Sequence, residues 1–270
     1  MTLRVFKEGP LVIAALHVPD YAQSRDLSVA WYEDYVVSNA RVFAAAGVPW
    51  IKLQDQTKTE AGAAPDTLAM TASLARLLRA EVPEVGLGLI IEAHDPEAAI
   101  AVAHASRADF VRLKVFVGGA MTAQGPRHGL GARAVRYRAE LRRTDIAILA
   151  DVHDRTAVPL SNESQPFAAE WAAKSGADGL IITGSTFDDT LRRIAAVRAH
   201  GIKKPILIGG SVTESNVRAA LDSADGVVVS SALMRKDAGR QDLLKWDLDL
   251  CRRFMDEARM VTTRAMARQA

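Results

Sequence analysis

Eight short apolar runs are spaced along the chain, and a stretch with helical spacing follows each of them. The runs lie at residues 11–18, 50–55, 85–91, 110–117, 146–153, 179–184, 206–208 and 227–229. Runs that are apolar at nearly every position predict strands covered on both faces, as in a parallel sheet packed against helices. The alternation has no linker or break, so we predict an α/β fold with one (β/α)8 TIM barrel over residues 1–270, of which 259–270 form a flexible tail.

The stretches between the runs carry helix start and stop signals. They predict helices at residues 27–46, 65–80, 96–105, 133–143, 165–175, 188–200 and 214–221. Pro65 and Pro96 suit the first position of a helix, and Gly47 ends the first one. Ser211 and Thr213 are expected to cap the helix at 214–221.

One stretch, residues 118–131, shows neither helical nor strand periodicity and contains five glycines. A pliable loop of this length at the end of a barrel strand predicts a lid that excludes water from the chemistry. The alternative is a disordered surface excursion.

Composition narrows the function classes. The length of 270 residues fits one barrel, and a net charge of +2 gives no footprint for nucleic acid. The apolar run near the N-terminus is too short for an integral membrane segment and has no cleavage pattern after it, so we expect a cytoplasmic protein. The single cysteine, Cys251, allows no internal disulfide and suits a buried position in the last helix. A homo-oligomer is left open.

The ends of the last two strands carry the strongest binding signal. The seventh strand ends in Gly209, Gly210 and Ser211, and the eighth ends in Ser230 and Ser231. In a (β/α)8 barrel, the loops after these two strands commonly form the phosphate site, where glycine lets the backbone approach the anion. We therefore predict a site for a small phosphorylated ligand there, against plain turn chemistry as the alternative. Thr183 and Gly184, at the end of the sixth strand, are further candidates.

Ionisable residues at the other strand ends are the catalytic candidates. Asp151 is the first, because an ionised group at the end of an apolar strand is costly unless it is paired or used. Its roles stay open: general base, metal ligand, hydrogen-bond anchor, or structural partner of Arg112 or Lys114. Arg112 and Lys114 alternate on one strand and so share a face, where they can counter the charge of an acidic substrate. Asp95 and Asp55 complete the catalytic candidates.

Two further chemistries remain open. Lys52 or Lys114 could form a Schiff base if burial lowered its pKa. A divalent metal could be held by His17, His94 and His153 with nearby carboxylates, although no metal-binding spacing such as HExxH is present. Walker, dinucleotide and nucleophile-elbow motifs are absent from the sequence, which argues against those enzyme classes.

Several segments in chain order resemble the BtpA family, also called the BtpA and SgcQ family. The most specific is FVRLKVFVGGAMTAQGPRHGLGARAVRYR at 110–138, supported by HDPEAAIAVA, ILADV, ADGLIITG, GSVTESNV and ADGVVVSSAL. The resemblance covers about residues 12–255. It implies a ribulose-phosphate-binding type of barrel, and members of the family are linked by name to photosystem I biogenesis.

The chain departs from the family's motifs at four strand ends. It has Gln54 and Asp55 in place of an acidic–Asn pair, His94 and Asp95 in place of Asn–Asp, Arg155 and Thr156 in place of Lys–His, and Phe187 and Asp188 in place of a second Thr–Gly. The resemblance therefore carries over Asp151, Asp95, Thr183 and the phosphate turns.

Two functions follow from different classes. The first is an enzyme, a lyase, isomerase or hydrolase, that acts on a small phosphorylated metabolite such as a sugar phosphate or a nucleotide-derived compound. The second is a non-catalytic assembly factor for a membrane complex that uses the barrel as a scaffold. A fold does not by itself decide between them. A third alternative, a barrel that has lost its activity, stays open because of the four departures from the family's motifs.

Overall fold

The computed structural model describes the backbone of residues 11–269 and the side chains of residues 11–261. Its strands are β1 Leu11–His17, β2 Trp50–Gln54, β3 Gly86–Ile90, β4 Phe110–Leu113, β5 Gly119–Thr122, β6 Gly125–His128, β7 Ala147–Asp151, β8 Val158–Pro159, β9 Gly179–Ile182, β10 Ile206–Ile208 and β11 Gly226–Val229. Eight of them form a closed barrel in the order β1, β11, β10, β9, β7, β4, β3, β2. All eight pairings are parallel, and β1 closes the ring by pairing with both β2 and β11. The predicted (β/α)8 barrel is confirmed.

Helices connect the barrel strands and pack around them. They are α1 Val29–Ala45, α2 Pro65–Glu81, α3 Pro96–Ser106, α4 Leu130–Glu140, α5 Gln165–Lys174, α6 Phe187–Ala199, α7 Val217–Ser223 and α8 Leu248–Gln269. Helix α7 begins later than predicted, with Asn216 as its N-cap. The Asn216 side chain accepts a hydrogen bond from the Thr213 N–H at 2.8 Å, so the chain is still turning at that point. The prediction that Ser211 and Thr213 cap the helix is wrong.

Large rings fill the amino-terminal half of the barrel interior. Trp50 and Phe110 pack edge to face there, with ring centroids 6.1 Å apart. Strand β3 makes room for them with two glycines, since a Cβ on Gly86 would lie 1.9 Å from the Trp50 ring and one on Gly88 would lie 2.1 Å from the Phe110 ring. The rings close the floor of the barrel, and the polar pocket described below lies above them.

Residues 118–131 are not an irregular loop. Strands β5 and β6 form a hairpin, and β8 pairs with β5 to complete a three-stranded antiparallel sheet. The Thr122 hydroxyl donates to the Gly125 carbonyl at 2.8 Å and closes the hairpin turn. Arg127 donates to the Thr59 carbonyl at 2.7 Å, which ties the hairpin to the loop after β2. Very short strands that contain glycine leave no periodicity in the sequence, so this sheet was not predicted.

Two further predictions concern the last helix: the burial of Cys251 and the tail at 259–270. Cys251 is fully buried in α8, as predicted. The backbone of residues 259–269, predicted as a flexible tail, continues α8, and the side chains beyond residue 261 lie outside the description. None of the helices in the described part of the chain has the length and apolar character needed to span a membrane.

Candidate active site

A pocket of about 410 Å³ opens at the carboxyl ends of the barrel strands. Because side chains alternate along a strand, every second residue of each barrel strand faces the interior. These inward positions are apolar low in the barrel, as at Ile13, Leu149 and Ile181, and become polar towards the mouth. The polar inward residues that line the pocket are His17, Lys52, Gln54, Glu92, Arg112, Lys114, Thr183 and Ser230.

The two predicted anion turns meet in this pocket. Residues 209–213, after β10, and residues 229–232, after β11, both line it. Within the described residues, the backbone N–H groups of Gly210, Ser211, Ser231 and Ala232 donate to no other protein group. Ser211 holds a left-handed backbone conformation with φ 64°, which is rare for a non-glycine residue and is often found at functional sites. The structure therefore brings together two turns with unpaired amide donors.

Thr183 adds an unpaired hydroxyl to the same region. Its Oγ1 is buried and, among the described residues, has no hydrogen-bond partner. The Thr183 hydroxyl lies close to Gly209, where an added Cβ would come within 2.2 Å of Oγ1 and within 2.7 Å of the Ile181 Cγ2 atom. A buried hydroxyl without a partner costs free energy, and a bound ligand would recover it.

The close approach at Gly209 leads to a testable expectation. Gly209→Ala should lower the free energy of unfolding by about 1–3 kcal/mol, because the added methyl overlaps Thr183 and Ile181. Urea denaturation measures the loss. Ala196→Gly in helix α6 serves for comparison, and its free energy of unfolding should fall by about 1 kcal/mol, the ordinary effect of glycine in a helix. Gly201→Ala would not serve, because the positive φ of Gly201 would itself strain an alanine. Wild-type stability of Gly209→Ala would mean that the turn adjusts freely.

Arg155 lies beside the first turn and was not predicted as a site residue. Its Nη1 donates to the Ser211 hydroxyl at 3.4 Å, and Arg155 lines the pocket with Asp154 and Thr156. The sequence identified Arg155 and Thr156 only as departures from the family's motifs. Asp154, Arg155 and Thr156 lie three to five residues after the end of β7, and this position could have identified them as candidate site residues.

A buried cluster of one cation and two carboxylates forms the opposite wall. Lys114 Nζ lies 2.9 Å from Glu92 Oε2 and 3.6 Å from Asp154 Oδ2. Burial alone would raise the pKa of Glu92 and of Asp154, yet the Lys114 charge and nearby hydrogen bonds lower both below their ordinary values. The two carboxylates are therefore ionised at neutral pH.

Arg112 lines the pocket, whereas Asp151 does not line it and binds the Arg112 guanidinium. Arg112 Nε and Nη2 donate to the two carboxylate oxygens of Asp151, each at 2.7 Å. Burial opposes the charge of Arg112, but the Asp151 carboxylate outweighs it and raises the pKa of the guanidinium. Of the roles left open for Asp151, this bidentate contact favours that of structural partner.

Lys52 is the most deeply buried ionisable group at the mouth. Its side chain donates to Gln54 Oε1 at 2.5 Å, and Gln54 in turn donates to Glu92 Oε1 at 3.1 Å. Burial and the Arg112 charge hold the pKa of Lys52 well below its ordinary value of 10.5. His17 lies nearby, and burial lowers its pKa to about 4, so its imidazole is neutral at physiological pH.

Apart from the histidines described below, four predicted residues do not line the pocket: Asp151, which lies against Arg112, and the three that follow. Asp95 caps α3 by accepting from the Ala98 N–H at 3.0 Å and lines a separate cavity beneath the hairpin. Asp55 accepts from the Thr57 N–H at 2.8 Å and stabilises the loop after β2. Gly184 donates its N–H to Thr190 in α6. The structure does not bring these three together with Asp151 or Lys114.

The structure separates the three predicted metal-binding histidines. His17 lies at the mouth, His94 lines the cavity beneath the hairpin, and His153 faces Glu163 at 3.5 Å. Within the described residues, no three histidine, cysteine or acidic side chains are grouped closely enough to hold a metal ion. The nearest carboxylates of the pocket are already paired with Lys114, which disfavours them as ligands.

The closed barrel and its polar mouth define a (β/α)8 barrel protein with a polar pocket at the carboxyl ends of the strands. Comparison with known proteins narrows this class: the chain belongs to the BtpA family, whose model matches residues 10–259.

Two curated relatives resemble the chain over different lengths. The photosystem I biogenesis protein BtpA of Synechocystis is 35% identical over 172 residues, which cover 62% of this chain and 58% of that protein. An uncharacterised protein of Pyrococcus horikoshii is 29% identical over 245 residues, covering 87% of this chain and 90% of that one.

Solved structures share the fold at low identity. Phosphoribosylanthranilate isomerase of Thermotoga maritima aligns with a TM-score of 0.55 and 17% identity, over 92% of this chain and 98% of that one. KGPDC of Streptococcus mutans aligns with a TM-score of 0.56 and 13% identity, over 94% of this chain and 99% of that one. At such identities the likeness establishes the fold.

Proposed function

We propose that this protein is an enzyme that binds a small phosphorylated metabolite and acts on it as a lyase, isomerase or hydrolase. The observation that carries the proposal is the meeting of two turns with unpaired amide donors, at 210–211 and 231–232, in one polar pocket. Backbone N–H groups suit a dianionic phosphate because each donates to an oxygen without adding a bulky side chain.

The groups around the turns support an anion as the ligand. Arg155 contacts Ser211 and so lies beside the proposed phosphate position. Arg112 lines the same pocket, and Thr183 offers a hydroxyl that is buried and unpaired among the described residues. The opposite wall holds Glu92 and Lys114, which would serve as base and acid for proton transfer to the rest of the substrate.

Thermal denaturation with added ligands tests this proposal. Pentose and hexose phosphates should raise the melting temperature, and the same sugars without phosphate should not. A ligand at 100 times its Kd stabilises the native state by about 2.7 kcal/mol, which corresponds to several degrees in a protein of this size.

A variant links such a shift to the anion turns. Arg155→Ala should abolish or strongly reduce the shift, because it removes the cation beside Ser211. Arg192→Ala is the matched control, since Arg192 is exposed on helix α6. Equal shifts with phosphorylated and unphosphorylated sugars, or an undiminished shift in Arg155→Ala, would contradict the proposal.

A second candidate function is the assembly of a membrane complex, after the name of the Synechocystis relative. Two pairs of exposed apolar side chains favour it. Phe167 and Trp171 pack together on α5 with 41% and 40% of their surfaces exposed, and Val158 on β8 faces Met121 on β5. Phe167→Ser with Trp171→Ser should abolish a scaffold function and leave ligand-induced stabilisation unchanged. If Arg155→Ala instead loses ligand-induced stabilisation and keeps the scaffold function, the result would support the enzyme.

A further inference from the structure

We propose that Lys52 is a nucleophile whose amine attacks a carbonyl carbon of the substrate and forms an imine with it. The inference rests on the proposed function and narrows it: the substrate would be a phosphorylated aldehyde or ketone, and the reaction would be that of a lyase or isomerase. Hydrolysis needs no such intermediate.

The position of Lys52 suits this role. It points inward from the middle of β2, only 1% of its surface is exposed, and it lines the pocket that also contains the anion turns. A phosphate held at Gly210 and Ser231 would therefore leave the remainder of a small substrate within the same enclosure as the amine.

The hydrogen-bond partner of Lys52 is unusual for a buried lysine. The amine donates to the amide oxygen of Gln54 at 2.5 Å, and within the described residues it forms no ion pair with a carboxylate. Glu92, the acid closest to it in the network, is engaged by Gln54 and Lys114 instead. An amine that is buried beside a neutral amide and forms no ion pair is favoured in its uncharged form. Burial and the Arg112 charge oppose an ammonium group more strongly than the charges of Glu92 and Asp151 favour it.

The second lysine of the pocket differs in this respect. Lys114 Nζ lies within ion-pair distance of both Glu92 and Asp154, the kind of partner that Lys52 lacks. Among the described residues, the pocket thus contains one lysine without a carboxylate partner and one paired with two carboxylates, an arrangement that suits a nucleophile and a proton donor. Burial and the charge of Arg112 both lower the pKa of Lys52, which also favours the uncharged amine.

The chemical step balances without an oxidant or a reductant. The Lys52 nitrogen forms a bond to the carbonyl carbon, and the carbonyl oxygen takes up a proton to give a carbinolamine. The hydroxyl group then leaves as water after a second protonation, and the nitrogen loses its protons to the surrounding bases. The net change is ketone or aldehyde plus amine to imine plus water. Lys114 would supply the first proton to the oxygen, and Glu92 would accept the first proton from the nitrogen. Glu92 would then pass its proton to the departing hydroxyl, and the second proton of the nitrogen would return to Lys114, so both groups end as they began.

Borohydride trapping tests the inference. The full chain is incubated with dihydroxyacetone phosphate, ribose 5-phosphate or fructose 6-phosphate, reduced with sodium borohydride, and analysed by intact mass and peptide mapping. We expect one adduct per chain, located on Lys52, with at least one phosphorylated carbonyl compound. Lys52→Met should lose the adduct, and Lys203→Met, a surface control, should keep it.

The outcomes separate this inference from the proposed function. A compound that raises the melting temperature of both wild type and Lys52→Met, yet leaves no adduct on Lys52 after reduction, overturns the imine and leaves phosphate binding intact. An adduct spread over surface lysines overturns it as well. If no phosphorylated compound raises the melting temperature, the proposed function fails, and the imine fails with it. Should Lys52→Met not fold, mapping of the wild-type adduct alone decides.

Discussion

Arg112→Met is expected to destabilise the protein by about 3–5 kcal/mol, because it leaves the Asp151 carboxylate buried without its partner. In the wild type both carboxylate oxygens accept from the guanidinium at 2.7 Å. Only 10% of the Arg112 side chain and 2% of the Asp151 side chain are exposed, so water cannot replace the lost contacts. Urea denaturation at pH 7 should show a lower midpoint with an unchanged slope.

A double variant controls for the loss of packing. Arg112→Met with Asp151→Leu removes both charges and should recover most of the stability, since an apolar pair of similar volume often replaces a buried ion pair without cost. Arg192→Met, on the exposed face of α6, should change the stability by less than about 0.5 kcal/mol. A loss of under about 1 kcal/mol in Arg112→Met would contradict the buried pair, because exposed ion pairs contribute that little.

This pair also shows where inference from sequence ends. Asp151 at the end of an apolar strand predicts either a catalytic acid or a partner of Arg112, and both predictions rest on the same residue types. The choice between these two roles depends on how the side chains meet in the fold. Arg112 lies on β4 and Asp151 on the neighbouring strand β7. The catalytic role of Asp151 stays a prediction, and Asp151→Asn would lower stability together with any activity, so it would not isolate catalysis.

The barrel itself was predictable because burial on both faces makes a strand apolar throughout. Eight such runs of suitable spacing leave few other folds. The sheet of β5, β6 and β8 was not predictable, because its strands are very short and contain Gly119, Gly125, Pro126 and Pro159, residue types that usually indicate turns.

The site was predictable in part. The two turns proposed to bind the anion follow from their glycines and serines after the last two strands, and the structure brings them together. Asp95 was named as catalytic although Asp followed by Pro at the start of a helix is a common N-cap, the position that it occupies. The state of Lys52 could not be predicted, since the pKa of its amine depends on barrel closure and on a neighbouring amide rather than a carboxylate.

Lys114→Met is expected to destabilise the protein by about 3–5 kcal/mol at neutral pH and much less in mild acid. The substitution removes the cation shared by Glu92 and Asp154, whose side chains are 3% and 4% exposed. In the wild type the lowered pKa of Glu92 stabilises the fold above its ordinary value of 4.5, and this contribution is lost as the pH falls through the lowered value. The wild type should therefore weaken towards acid.

The Lys114→Met variant should have the opposite slope. Without the cation, burial raises the pKa of both carboxyls, so the folded state takes up protons more readily than the unfolded chain, and stability is lost as the pH rises through the raised values. Urea midpoints measured from about pH 5 to pH 8 should thus converge with the wild type at the acid end and diverge above it. Lys203→Met should run parallel to the wild type throughout, because Lys203 is exposed. A difference in urea midpoint between Lys114→Met and wild type that stays constant with pH would mean that lost packing, not lost charge, causes the destabilisation. Glu92 and Asp154 would then not depend on Lys114 for their ionisation.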